Sequence, residues 1–256
     1  MNNSGSSAPF FTSPDSGTPQ IKGLSNLGRN TLLSVEGRIM GKTEISIVRP
    51  AEIESESFRI IEEELRQKGR KIPEDYKHVL LRVIHTTADF EYLDTMAFSE
   101  DVLMAAEDAF RRGAHIVTDT TMAMAGINKR RLAQFGGEAH CFIADTDVAE
   151  AAQEAGTTRS AAAVHKAVRF SRENSIPLIF AVGNAPTALL ALEGEIGRGY
   201  RPELVIAVPV GFVNVVEAKE RIMAAGVPYI CSRGRKGGSN VAAAICNAIL
   251  YHMKQA

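Results

Sequence analysis

The segment "LRVIHTTADF", residues 81–90, ends an apolar run on a histidine. Arg82 precedes His85 by three residues, and Asp89 follows it by four. An imidazole has an unperturbed pKa of about 6.5, so His85 can donate or accept a proton near neutral pH. A nearby arginine disfavours the charged imidazole unless a bound anion offsets the arginine. The pair fits a general acid or base acting on an acidic substrate. The alternative is a hydrogen-bonded histidine at a helix boundary, without chemistry.

The secondary structure around His85 decides whether the two side chains can act together. On a strand, Arg82 and His85 would point to opposite faces. On a helix, residues three apart share a side. Pro73 followed by acidic residues favours a helix over 73–85. We therefore predict that the apolar residues of this helix are buried while Arg82 and His85 face a ligand.

Two further segments carry cations where an anion could bind. "RGRKGGSN", residues 233–240, places Arg235 and Lys236 before two glycines and a predicted helix start. Backbone N–H groups and cations together form anion sites, although the segment lacks the P-loop pattern. In "TTRSAAA", Arg159 stands at the start of a helix, where the helix dipole disfavours a cation and a paired anion would explain it. A solvated turn and a surface arginine are the alternatives.

The elements that position these residues alternate along the chain. Five short apolar segments predict strands, and a predicted helix follows each of the last four: "AHIVTD", "EAHCFIAD", "IPLIFAVG", "ELVIAVPVG" and "VPYICSRG". This order predicts an α/β fold, a three-layer α/β/α single domain with a mostly parallel sheet. In such folds ligands bind beyond the carboxyl ends of the strands. Those ends are predicted at 118–122, 183–187, 209–212 and 233–240.

Two helices before the sheet have recognisable ends. Residues 50–69 predict a helix whose apolar face carries Ile53, Ile60, Ile61 and Leu65, with Ser57 on the same face. "SEDVLMAAEDAFRRG" predicts a second helix, capped by Ser99 and ended by Gly113.

Composition excludes several classes of function. The chain has 256 residues, a net charge of −1 and no tryptophan, which argues against nucleic-acid binding. No apolar run approaches the ~20 residues of a membrane span. Three widely spaced cysteines indicate a reducing, cytoplasmic location. The six histidines show no HxxxH or CxxH spacing, so no metal site is predicted. Residues 1–43 are predicted to be a disordered tail, and 44–256 the folded domain.

From about Ile47 onward the chain resembles the precorrin-8X methylmutase family. The resemblance is carried by "SFRII", "RVIHTTADF", "TDTTMAMAGINKRRL", "TRSAAA", "GNAPTALL", "PVGFVNVVEAKE" and "GRKGGSNVAAAICNAILYH". It is strongest to the cobalt-precorrin-8 methylmutases of the anaerobic cobalamin route. Asn214 and Ala218 depart from the family's usual glycine and serine.

The resemblance implies an isomerase that moves a methyl group from C-11 to C-12 of a corrin precursor. Cobalt-precorrin-8 would give cobyrinate, and precorrin-8X hydrogenobyrinate. The shift is intramolecular, so no cofactor is expected. The resemblance implies His85 as the acid that protonates a ring nitrogen, and a homodimer with the site near the subunit interface. It implies substrate-binding residues, with three weaker candidates last: Ser57, Arg82, Thr158, Arg159, Asn184, Arg235 and Lys236. The alternatives are a non-catalytic corrinoid carrier and an α/β enzyme that binds a phosphorylated metabolite through "GRKGGSN".

Overall fold

The computed structural model describes Arg49 and residues 52–254. The predicted tail at 1–43 lies outside the described residues. A six-stranded sheet forms the centre of the described part, in the order β1-β6-β5-β4-β2-β3. The strands are β1 Met96–Phe98, β2 His115–Thr118, β3 Ala139–His140, β4 Leu178–Val182, β5 Leu204–Ala207 and β6 Tyr229–Ser232.

Four of the five strand pairings are parallel, as predicted. The exception is β1, which pairs antiparallel with β6 and places Ala97 opposite Cys231. This three-residue edge strand was not predicted from the sequence. The predicted strand "EAHCFIAD" is also much shorter than expected, because only Ala139 and His140 pair with β2.

Eleven α-helices are present in the described part of the chain. They are α1 Ile53–Gln67, α2 Lys77–Thr87, α3 Tyr92–Thr95, α4 Val102–Arg111, α5 Thr121–Gly126, α6 Lys129–Ala133, α7 Thr146–Glu154, α8 Arg159–Asn174, α9 Pro186–Gly197, α10 Val215–Met223 and α11 Ser239–His252. A short 3₁₀ turn, Glu74–Tyr76, leads into α2.

Side-chain alternation along the strands builds two cores, one on each face of the sheet. In β4, Ile179 and Ala181 pack in the core formed with α2, α4 and α11. Phe180 and Val182 point to the opposite core, formed with α8, α9 and α10. Both faces of the sheet are thus covered by helices, and the predicted three-layer α/β/α architecture is confirmed.

The segment that carries Arg82 and His85 is helical, as predicted, so these two residues lie on the same side of α2. Val79, Val83 and Ile84 are buried against the core. The helix ends at Ala88, which has a left-handed backbone with φ of 52°. Because the buried residues fix the inner face of α2, Arg82 and His85 lie on its outer side.

Two local predictions are wrong. Ser99 does not cap α4, whose N-cap is Asp101. The Ser99 hydroxyl instead accepts a hydrogen bond from the Tyr229 N–H, so it joins the segment after β1 to the start of β6. On α1, Ile53 and Ile60 are 52% and 45% exposed, so only the Ile61 side of the predicted apolar face is buried. Among the described residues, no helix is long and apolar enough to cross a membrane.

Candidate active site

His85 lies in the last turn of α2, and its side chain is exposed. Its ring packs against Phe58 of α1 in a T-shaped arrangement, with ring centroids 5.7 Å apart. Within the described part of the chain, the His85 ring makes no hydrogen bond and no ion pair. Its ring nitrogens are therefore available to a ligand.

Arg82 lies on the same side of α2, as predicted, in contact with two aromatic rings. Its guanidinium carbon is 5.6 Å from the centroid of Phe58 and 4.8 Å from that of Tyr251. Its Nη1 is 2.8 Å from Glu54 Oε1, and the arginine side chain is only 14% exposed. Glu54 thus occupies the position of an anion opposite Arg82. Since Glu54 is half exposed, a substrate carboxylate can replace it there.

Ser57 stands next to Phe58 on α1 and is half-buried. Its hydroxyl donates to the Ile53 carbonyl at 2.8 Å, a common bond for serine within a helix. The hydroxyl donor is occupied in this state, while the oxygen can still accept a bond. We define Ser57, Phe58, Arg82, His85 and Tyr251 as the histidine cluster.

Phe58 also lines a cleft of about 670 Å³ between α1 and the segment that precedes α2. Four of its five cations are already paired with carboxylates: Arg59 with Glu56, Arg66 with Glu63, Arg70 with Asp94 and Lys77 with Glu62. Paired cations attract a further anion only weakly. Arg82 is likewise paired, with Glu54, so ion pairing alone does not separate this cleft from the histidine cluster as an anion site.

The turn "RGRKGGSN" is tied to the segment that follows His85. Lys236 Nζ donates to Asp89 Oδ2 at 2.5 Å and to Glu91 Oε2 at 2.6 Å. These bonds raise the pKa of Lys236 above its ordinary value and lower that of Asp89. Arg235 remains exposed beside the equally exposed ring of Phe212, 5.4 Å from its centroid. Two carboxylates already satisfy Lys236, which argues against this turn as a phosphate cradle.

A buried lysine that the sequence analysis missed supports the same turn. Lys219 of α10 is fully buried, and its Nζ donates to the carbonyls of Gly234 and Lys236 at 2.8 Å each. Burial lowers its pKa to about 8. The sequence did hold a signal, because position 219 follows Val215 by four and precedes Ile222 by three, on the buried face of the helix.

The carboxyl ends of β2, β4, β5 and β6 lie at the same end of the sheet, because these strands are parallel. The buried Asp119, after β2, accepts hydrogen bonds from the N–H groups of Gly183, Asn184 and Ala185, after β4, at 2.6–2.9 Å. Burial raises the pKa of Asp119, although the three N–H groups act in the opposite direction. The acid is thus a fixed support and not an exposed catalytic group.

The remaining strand ends are joined just as closely. After β5, the Val208 carbonyl accepts from the Gly238 N–H at 2.9 Å. A Cβ at Gly237 would lie 2.1 Å from the Val208 oxygen, so the turn needs glycine there. A Cβ at Gly183 would similarly lie 2.7 Å from the Cα of Ser239. Glycines therefore permit the close contact of these loops.

Thr158 and Arg159 lie at the start of α8. The Thr158 hydroxyl accepts from the Ala161 N–H at 3.2 Å, which caps the helix, and donates to Thr187 Oγ1 at 2.9 Å. This bond places Thr158 beside the loop after β4, which carries the exposed Asn184. The Arg159 side chain is exposed and forms no ion pair with any described residue. Neither residue contacts the histidine cluster through a hydrogen bond or ion pair among the described residues.

The predicted site residues thus form two groups on one α/β scaffold. Ser57, Arg82 and His85 belong to the histidine cluster, whereas Thr158, Arg159 and Asn184 lie by the loop after β4. Lys236 links the glycine-rich turn to the loop after His85. Phe58, Tyr251 and Glu54 were not predicted from the sequence, because neither ring packing nor an ion pair between helices has a local sequence signal. The arrangement suits proton transfer to a large anionic ligand.

Comparison with known proteins identifies the family of the chain. The family model for precorrin-8X methylmutase matches residues 52–252. The chain belongs to the precorrin-8X methylmutase family, so the resemblance seen in the sequence is confirmed.

Individual relatives agree with this assignment. The chain is 47% identical over 213 residues to the cobalt-precorrin-8 methylmutase of Salmonella typhimurium, covering 82% of this chain and 99% of the relative. It is 37% identical to the precorrin-8X methylmutase of Pseudomonas aeruginosa, covering 76% and 91%. A solved precorrin-8X methylmutase from Thermus thermophilus superposes with a TM-score of 0.67 at 40% identity, covering 78% of this chain and 96% of that one.

Proposed function

We propose that this protein moves a methyl group from C-11 to C-12 of precorrin-8, with or without cobalt in the ring. The products are cobyrinate from the cobalt form and hydrogenobyrinate from the metal-free form. Family membership supports the reaction class. The alignment to the Salmonella typhimurium relative, which covers 99% of that protein, supports it as well. The observation that carries the proposal is the exposed His85 ring on the same side of α2 as Arg82, with no other polar group bonded to its nitrogens among the described residues.

His85 acts as the general acid in this proposal. It donates a proton to a ring nitrogen of the macrocycle next to the migrating methyl group. Protonation draws electron density through the conjugated ring and lowers the barrier to the shift. Positioned proton transfer is typically worth about 10²–10⁴-fold in rate. The contact with Phe58 restricts the imidazole orientation, which supports this role.

Arginines and hydroxyl groups hold the carboxylates of the macrocycle. Arg82 binds one carboxylate in place of Glu54, and Arg159 binds another near the loop after β4. Ser57 and Thr158 add hydrogen bonds, and Asn184 and Arg235 contact the periphery. Lys236 supports the turn through Asp89 and Glu91. The exposed ring of Phe212 offers an apolar surface to the ring system.

The site is proposed to be completed in a homodimer, in the cytoplasm. Ile53 and Ile60 of α1 are large apolar side chains left half exposed beside Ser57. A second subunit over α1 would bury them and enclose the large ligand. The three cysteines are free, which agrees with a reducing compartment.

Turnover distinguishes the proposed enzyme from a corrinoid carrier of the same fold. Purified protein is mixed with a tenfold excess of cobalt-precorrin-8 or of precorrin-8X, and absorption spectra are recorded over time. The methyl shift changes the conjugation of the ring and therefore the spectrum. The proposal expects conversion of many equivalents per site. A spectral change that stops at one equivalent would identify a carrier, and the preferred macrocycle would show whether cobalt is required.

A further inference from the structure

We infer that His115, Glu138 and His140 bind a divalent transition-metal ion at a site separate from the proposed active site. Nδ1 of His115 and Nε2 of His140 are 2.8 Å apart. Each of the three side chains offers one ligand atom, and these three atoms all lie within 4.8 Å of one another. His115 starts β2, Glu138 directly precedes the edge strand β3, and His140 lies in β3. The active-site loops follow the other end of β2.

Aromatic packing holds the two imidazoles in place before any metal binds. The His140 ring stacks on Phe142, with centroids 5.7 Å apart and an interplanar angle of 5°. Phe170 of α8 lies 5.2 Å from the His140 ring and 6.4 Å from the His115 ring. Both imidazoles are half-buried, and Glu138 is exposed. Rings fixed in this way lose little conformational entropy when they coordinate an ion.

The distances match the requirements of coordination. Imidazole nitrogens and carboxylate oxygens bind Zn²⁺ at about 2.0–2.2 Å, which places adjacent donors about 2.9–3.4 Å apart. The two histidine nitrogens need to separate by only a few tenths of an ångström from 2.8 Å. The exposed Glu138 side chain can swing toward them. Two histidines and one carboxylate leave a further coordination position for water.

Metal binding needs little rearrangement of protons at the histidine pair, because a hydrogen bond already joins the two rings. In the metal-free pair one ring donates its N–H to the other. Coordination moves that proton to the outer nitrogen of the same ring, a change of tautomer that releases no net proton. The Glu138 carboxylate offsets one of the two charges of the ion.

The expected ion and its effect follow from the ligand set and from the sheet. Imidazole with carboxylate suits Zn²⁺, Co²⁺ or Ni²⁺ better than Mg²⁺ or Ca²⁺, which prefer oxygen ligands. Strand β3 pairs with β2 through only two residue pairs. A shared ion would fasten this short edge strand to its neighbour. Glu138 and His140 follow His115 by 23 and 25 residues, so no short spacing motif joins the three ligands in the sequence.

The test is metal titration of the full-length protein. Zn²⁺ binding is followed by calorimetry, and Co²⁺ binding by its visible absorption bands. We expect one equivalent to bind, and the melting temperature to rise by about 5–10 °C at a free metal concentration 100 times the dissociation constant. Loss of a residue that only supports a metal ligand typically weakens metal binding about 10- to 100-fold. Loss of a direct ligand should cost more, so His115→Gln or His140→Gln should weaken binding by at least about 100-fold. Glu138→Gln, at an exposed position, should weaken it by at least tenfold.

His165→Gln is the matched control. His165 also pairs with a carboxylate, Glu195, at 2.7 Å, but no second imidazole joins them. Its loss should leave the one-equivalent binding unchanged. Absence of one-equivalent binding in the millimolar range would overturn the inference and leave a plain hydrogen bond between two histidines. So would unchanged affinity in both Glu138→Gln and His140→Gln. The readout needs no macrocycle, so its outcome is independent of the methylmutase activity.

Discussion

Replacing the buried Lys219 with methionine should destabilise the protein, by an amount that grows as the pH rises. Methionine keeps most of the aliphatic volume but removes the donor to the carbonyls of Gly234 and Lys236. An unsatisfied buried polar group costs about 1–3 kcal/mol. Two carbonyls lose their donor, which destabilises the folded state, but removal of the buried charge offsets part of this cost. We therefore expect the free energy of unfolding at pH 7 to fall by an amount of that order.

The pH dependence follows from the pKa of Lys219, which burial lowers from 10.5 to about 8. Between these values the unfolded chain binds a proton that the folded protein does not. The Lys219 contribution to stability therefore increases with pH from about 8 to 10.5. With about 1.36 kcal/mol per pKa unit, the wild type should gain about 2 kcal/mol relative to Lys219→Met between pH 7 and pH 9.5. Cys231 is coupled to Lys219, but burial raises its pKa to about 12 in the folded protein, above the pH range of the experiment. Groups that do not face Lys219 cancel in the difference.

Urea denaturation of both proteins at several pH values between 7 and 9.5 measures this difference. Lys129→Met, at an exposed position on α6, is the control and should change stability little at any pH. A difference that stays constant or shrinks as the pH rises would refute the assignment of Lys219 as a buried lysine with a lowered pKa.

Three other predictions concern ligand binding and assembly. Arg159→Ala should weaken macrocycle binding about 10- to 100-fold, as expected for a charge-assisted contact of ~1.5–3 kcal/mol, while kcat changes little. Binding titrations and initial rates measure the two effects, with Arg169→Ala, an exposed position on the same helix, as the control. A collapse of kcat at unchanged affinity would contradict the prediction. Deleting residues 1–40 should leave the melting temperature and turnover nearly unchanged, because the described core is built from later residues; a large loss of either would show that the tail has a role. Light scattering at micromolar concentration should show a dimer, and a purely monomeric protein would count against a site completed by two subunits.

The layered fold and half of the candidate site were predictable because their signals are local. Alternating strands and helices indicate the parallel sheet, and Pro73 with the acids after it indicates the helix that carries Arg82 and His85. Periodicity also requires that the apolar residues of α2 face the core. Once that face is fixed, the position of His85 on the outer side follows.

The remaining features depend on contacts between segments far apart in the chain. Lys236 finds its carboxylate in Asp89, 147 residues away, and the sequence alone shows it only as part of a basic turn. Ser99 has the residue type of a helix cap, but its hydroxyl bonds to the backbone of β6 instead. Tertiary partners therefore override local preference at both positions. The exposed Ile60 likewise departs from the predicted helical pattern, because no described residue buries that side of α1.

The central claim is that His85 delivers the proton that drives the methyl shift. It is tested most directly by single turnover of His85→Asn with enzyme in excess over macrocycle, followed by absorption. Asparagine keeps a hydrogen-bonding end but cannot serve as a proton donor near neutral pH. His78→Asn, seven residues earlier on α2, is the control and should convert substrate at the wild-type rate. We expect His85→Asn to bind the macrocycle with little change in affinity and to convert it about 10²–10⁴-fold more slowly. Conversion by His85→Asn at near the wild-type rate would contradict the account.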